Sequence, residues 1–112
     1  MNLNQPNFPV MNVQVQSIHF DADTKLISFI QDKLGKLTTF HDRIINAEVF
    51  LRLDKDTAKR ENKVVEVRMG VPGRDLFSQR RSKSFEEAVD QAAEAIRRQM
   101  ERVKPTNLRQ AS

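Results

Sequence analysis

Two stretches of this chain alternate apolar and polar side chains without interruption, and that alternation limits the fold more than any other feature. Ala47, Val49, Leu51 and Leu53 recur at every second position against Glu48, Phe50 and Arg52. Val65, Val67, Met69 and Val71 do the same against Glu66 and Arg68. A period of two puts each apolar set on one face of a strand, so both segments predict half-buried strands that need a common cover. Pro72 and Gly73 end the second run with a turn signal, which predicts a hairpin. The strand after it, Arg74 to Ser82, is weaker, with Leu76 and Phe77 its only large apolar residues. Val13 and Val15, alternating with Gln14 and Gln16, predict a short opening strand.

Elsewhere the period is that of a helix. Leu26, Ile30, Leu34 and Leu37 follow at spacings of 4, 4 and 3, after N-cap candidates in Asp21 to Thr24. They predict an amphipathic helix to about Phe40, with Gly35 inside it costing about 1 kcal/mol relative to Ala. Ser84-Phe85-Glu86-Glu87 matches a capping box. Phe85, Val89, Ala92, Ile96, Met100 and Val103 then continue a second helix, which Pro105 is expected to end. Asp54 to Lys63 is the polar connecting loop. The order is β-α-β-β-β-α. It predicts an α+β two-layer sandwich, with a four-stranded, mostly antiparallel sheet and two helices on one face. The other face, carrying Gln14, Gln16, Glu48, Arg52, Glu66 and Arg68, is expected to meet water. One domain, 11–104, is expected between a flexible tail at 1–10 and a disordered tail at 105–112.

Little in the sequence supports catalysis. There is no cysteine, and His19 and His41 are 22 positions apart in different elements. No HExxH, CxxC or glycine-rich phosphate loop occurs. Glu86 with Glu87, and Asp54 with Asp56, are carboxylate pairs in solvated positions, without the apolar surround that acid–base chemistry needs. The expectation is a non-enzyme with no catalytic residues, no cofactor, no metal and no small-molecule substrate. No apolar run approaches the roughly 20 residues of a membrane span. A cytoplasmic protein without membrane contact is expected.

Charge carries more information. Nineteen Lys and Arg against fifteen Asp and Glu give +4, a modest excess, so its distribution matters more than its sum. The second helix is acidic at first (Glu86, Glu87, Asp90, Glu94) and then mostly basic (Arg97, Arg98, Glu101, Arg102, Lys104). On the first helix Lys25, Phe29, Lys33 and Lys36 fall within roughly 80° of one another, a basic stripe able to track phosphates. Arg80, Arg81 and Lys83 precede the second helix, with Arg80 and Arg81 sent to opposite faces by alternation. Each feature also has a purely structural reading: a solvated flank, a helix dipole satisfied by its own charges, an edge strand protected by cations. By angle, Arg98 and Arg102 share one flank of the second helix while Arg97 and Lys104 share the other, so only one flank can join the first helix's stripe. With no Tyr or Trp, base stacking would fall to Phe50, Phe77 or Phe29. Shape-and-phosphate recognition of folded RNA is therefore the expected mode.

From about Met11 to Lys104 the chain resembles the ribosome hibernation-promoting factor family, which includes ribosome-associated inhibitor A (protein Y). The resemblance rests on the order and spacing of VQVQSIHF, LISFIQDKLGKLTTFHDRI, AEVFLRLD and FEEAVDQAAEAIRRQMERVK. It implies the same β-α-β-β-β-α fold, with the small ribosomal subunit and its rRNA as partner. Family members sit in the mRNA and tRNA channel near the decoding centre, occlude the A and P sites, and suppress translation under stress or in stationary phase. Lys33 and Lys36 fall on family lysine positions, Arg98 on the arginine of the family's R-Q-L step, and Lys104 on a downstream lysine. Arg102 falls where many members are basic. Ser84 and Glu86 replace a usual acidic residue and aromatic, and Ala95 replaces a mid-helix lysine. Long members carry a second, dimerising domain; this chain is expected to be a short form, monomeric off the ribosome. The expected rRNA contacts are Lys25, Lys33, Lys36, Arg80, Arg81, Lys83, Arg97, Arg98, Arg102 and Lys104. Two other readings remain: a general folded-RNA-binding module, and a protein-interaction modulator of an alternative sigma factor, an older name carried by some relatives.

Overall fold

The computed structural model describes residues 12–39, 43–55 and 61–110, with side chains over 13–39, 43–55 and 61–102. The expected N-terminal tail and the side chain of Lys104 lie outside those residues. Four strands, β1 (Asn12–Ser17), β2 (Asn46–Leu53), β3 (Lys63–Val71) and β4 (Arg74–Ser82), form one sheet in the order β1-β2-β3-β4. β1 pairs parallel to β2, and the other two pairings are antiparallel. The parallel pair follows from the connection: α1 (Thr24–Gly35) lies between β1 and β2 and carries the chain back across the sheet. The hairpin between β3 and β4 turns at Pro72 and Gly73, where Gly73 takes φ 86, a left-handed value open to a residue without Cβ.

Register puts the alternating apolar residues in line. Val15 sits beside Val49, Val49 opposite Val67, and Met69 opposite both Ala47 and Leu76. Their common face is covered by α1 through Ile30 and Leu34, and by α2 (Phe85–Gln110) through Val89, Ala92, Ile96 and Met100, all fully buried or nearly so. Each such aliphatic side chain contributes about 1.5–3 kcal/mol by leaving water. Buried Ser78 on β4 donates its hydroxyl to the Ala92 carbonyl at 2.9 Å, which satisfies a polar group that would otherwise be stranded beneath α2. Phe20 and Phe85 stack at 5.2 Å between centroids, joining the loop after β1 to the start of α2.

The helix ends show where local chemistry decides. Asp23 Oδ1 accepts from the Leu26 amide at 2.9 Å, and Ser84 Oγ accepts from the Glu87 amide at 3.1 Å. The first comes from the expected N-cap candidates at Asp21 to Thr24, and the second is the Ser84 half of the expected capping box. The first helix is shorter than its apolar stripe suggested. It is α-helical only to Gly35 and then tightens into a 3-10 turn over Lys36–Thr39. Gly35 is a weak helix former, and the hydroxyls of Thr38 and Thr39 take the carbonyls of Gly35 and Lys36. The second helix is longer than expected. It passes Pro105 and runs to Gln110, so over 105–110 helix stands where a disordered tail was expected. A proline removes one amide donor and bends a helix, but a helix can resume on its far side.

Candidate nucleic-acid interface

Both helices start at the same end of the sheet. β1 and β4 point the same way, because β1 is parallel to β2 and β4 lies two antiparallel steps further on. Each helix returns from its strand, and the C-terminal half of α1 lies beside the first turns of the longer α2. There Lys33 Nζ reaches Asp90 Oδ1 at 2.9 Å across the seam between the helices. Lys36 stands about one turn further along, roughly level with residues 93–94, and Arg97 and Arg98 about one turn beyond. Arg97 is about 20° around α2 from Asp90 and shares the seam. Arg98 and Arg102 are about 80° and 120° from Asp90 and turn towards the β4 edge. The flank that joins the first helix's stripe is therefore that of Arg97.

The structure also sorts the cations by partner. Arg97 is held by two carboxylates: Glu94 accepts from Nη2 at 2.6 Å and from Nε at 3.0 Å, and Glu101 accepts from Nη1. Its side chain is only 27% exposed, against 63% for Arg98, whose Nε is 3.5 Å from Glu94. The Arg97 hydrogen bonds hold the Glu94 carboxyl below its ordinary 4.5, and Glu94 in turn raises Arg97 further above the ordinary arginine value. Lys33 has Asp90 and lies 5.8 Å from the Phe29 ring centre. Among the described residues, exposed Lys25, Lys36, Lys83 and Arg102 have no carboxylate partner. Arg80 is exposed on the helix-side face of β4 and donates to the Gln79 carbonyl at 2.9 Å.

Arg81 stands apart. It faces the open side of the sheet opposite Val64, away from the helices, and its Nη1 is 2.6 Å from Asp54 Oδ2. Alternation had assigned Arg80 and Arg81 to opposite faces, and the register does so. The expected cations thus form a helix-end group in two parts, Lys33, Lys36 and Arg97 along the seam and Arg98 and Arg102 further along α2 on its other flank, then a group where the helices start (Lys25, Arg80, Lys83), and Arg81 on the far face. Ion pairs between side chains this exposed are worth about 0–1 kcal/mol, so an incoming phosphate can displace the carboxylate from Lys33 or Arg98. The doubly held, less exposed Arg97 is harder to recruit and serves to fix Glu94 and Glu101.

Sequence reasoning did not foresee Gln99. Its side-chain amide donates to the Phe77 carbonyl at 2.7 Å and accepts from the Phe77 amide at 3.3 Å, taking the place of a neighbouring strand on the outer edge of β4. Only its position one turn before Val103, facing neither core nor solvent fully, hinted at a role. Among the described residues no cluster of His, Cys, Asp or Glu suits a metal ion, and no helix is long and apolar enough to cross a membrane.

The fold has known counterparts. A ribosomal subunit interface protein from Coxiella burnetii superposes with a TM-score of 0.74 at 20% identity, over 84% of this chain and 98% of that one. The N-terminal domain of Thermus thermophilus Protein Y superposes with a TM-score of 0.73 at 19% identity, over 84% of this chain and all of that one (100%). In sequence, the ribosome hibernation promoting factor of Pseudomonas putida is 23% identical over 94 residues, which are 84% of this chain and 87% of that protein. The ribosome hibernation promotion factor of Deinococcus radiodurans is 26% identical over 98 residues, 87% of this chain but 51% of that protein, so the chain spans about half of that relative. A family profile described as sigma 54 modulation protein / S30EA ribosomal protein matches residues 13–106. That match runs from the second residue of β1 through the other three strands and both helices up to the basic end of α2, and the chain belongs to this family.

Proposed function

We propose that this protein is a ribosome hibernation factor that binds rRNA of the small subunit in the mRNA and tRNA channel and blocks translation sterically, without catalysis. The observation that carries the reading is the parallel return of two helices, with Lys33 and Lys36 beside the first half of α2 and exposed Arg98 and Arg102 further along it. The names of the Pseudomonas and Deinococcus relatives support it. Lys36 and Arg102, which meet no carboxylate among the described residues, are the direct phosphate contacts; Lys33 and Arg98 exchange Asp90 and Glu94 for phosphate on binding. Lys25, Arg80 and Lys83 form a second contact group where the helices start, and Lys104 is a further rRNA contact. Arg97 acts by positioning its acidic neighbours, and Arg81 belongs to the far face. The protein acts as a cytoplasmic monomer off the ribosome.

Sucrose-gradient fractionation of stationary-phase lysate, probed for this protein, tests the assignment. The reading requires co-migration with ribosomal particles that modest excess of a free stem-loop RNA does not displace. A protein found only in the soluble fractions refutes it. One released by the stem-loop is a general folded-RNA binder.

A further inference from the structure

The sheet face away from the helices carries its own pattern. Phe50, Glu66 and Gln79 form one cross-strand row, and Glu48, Arg68 and Phe77 the next. The Arg68 guanidinium lies over both rings, 5.5 Å from the centre of Phe50 and 6.0 Å from that of Phe77. Phe77 is 47% exposed, an unusual position for a phenyl ring whose backbone is already fixed by Gln99. Glu66 accepts from Arg68 at 3.1 Å and faces Arg52 at 3.5 Å, so one carboxylate orients two guanidiniums and leaves the trio with an excess positive charge. In the row on the other side of Glu66, Arg52 and Arg81 flank buried Val64. They line an open cleft of about 430 Å³ with His19, Lys55, Ile18 and Asp54. Rows on one face are about 7 Å apart, so the cleft lies about 14 Å from the Phe77 row.

We infer that this face is a second RNA site, which binds a single strand by stacking bases on Phe50, Arg68 and Phe77 and seating phosphates at Arg52, Lys55 and Arg81. Aromatic rings and guanidinium planes interleaved on an open sheet are what unpaired bases stack on, whereas a duplex offers its bases only edge-on. Charge gives the strand a direction. The cleft end is basic, with Asp54 already engaged by Arg81, while Glu48 and Asp75 border the far side of Arg68 and repel phosphate. The surface lies across the sheet from the helix-end cations, so it is independent of the contacts proposed above.

The test is fluorescence anisotropy of the full chain with a labelled single-stranded decauridylate at low salt. Phe77→Ala should weaken binding on the order of 5- to 150-fold, the span of one lost stack. Phe77→Leu, which keeps the apolar area, should weaken it in the same direction. Arg52→Gln with Arg81→Gln should flatten the salt dependence, and an unlabelled RNA hairpin should compete poorly. Lys36→Glu with Arg98→Glu should leave decauridylate binding within about twofold of wild type, even where small-subunit binding is lost. Wild type failing to bind the decauridylate overturns the inference. So does equal binding by wild type and both Phe77 variants, or loss of binding in the helix-end variant to the same degree as in Phe77→Ala.

Discussion

Replacing Asp90 with Asn should make the protein bind small ribosomal subunits more tightly. Asp90 holds Lys33 at 2.9 Å, with side chains 51% and 38% exposed. In that setting the pair contributes at most about 1 kcal/mol to folding, so its loss should lower Tm by about 4–8 °C or less. Freed from its carboxylate but still lying near the Phe29 ring, Lys33 gains one phosphate contact. Each added contact steepens the log–log salt dependence by about 0.9. That amounts to about eightfold tighter binding at 0.1 M monovalent salt and about fourfold at 0.2 M. A gain is informative because partial unfolding cannot produce it. The assay is equilibrium binding to purified small subunits across a salt series, for wild type, Asp90→Asn, and Asp75→Asn as a control that removes the same charge from the far face. Equal gains in both variants would reduce the effect to net charge. No gain and an unchanged slope for Asp90→Asn would mean that Lys33 meets no phosphate.

Two further outcomes follow from the same structure. Gln99→Leu removes both side-chain bonds to Phe77. It should cost about 1–3 kcal/mol in denaturant unfolding and, by baring the β4 edge, should produce concentration-dependent association in light scattering; a monomer of unchanged stability would refute the edge-cap role. The Glu94 carboxyl, held low by Arg97, contributes stability that is complete above its ordinary 4.5 and lost as pH falls through its lower folded value. Stability followed from pH 6 to pH 2 should therefore fall less steeply at the acid end in Glu94→Gln than in wild type, and identical curves would count against the pairing.

Most of the fold was legible because its information is local. Alternation over β2 and β3 fixed which side chains face the helices, Pro72-Gly73 marked the hairpin, and Asp23 and Ser84 marked the helix starts, since each depends on neighbours within a few residues. The helix C-terminal ends were less legible: a stripe of apolar residues shows what a helix buries, not where its backbone tightens or continues past a proline. At the candidate site the list of cations was legible but their partners were not. Lys33 meets Asp90 only because two helices 50 residues apart in sequence settle side by side, a lateral offset set by core packing. The same holds for Arg68 between Phe50 and Phe77: each residue reads alone as an open-face substituent, and only the register of three strands makes them one surface.

In the proposed function, exposed cations on the two helices grip ribosomal RNA. The most direct measurement of that grip is co-sedimentation of Lys36→Glu with Arg98→Glu against wild type on purified small subunits at physiological salt, with circular dichroism as the folding check. Both side chains are exposed, so the fold should survive. The folded variant should stay at the top of the gradient while wild type travels with the subunits; a folded variant that travels with them as wild type does would contradict that grip.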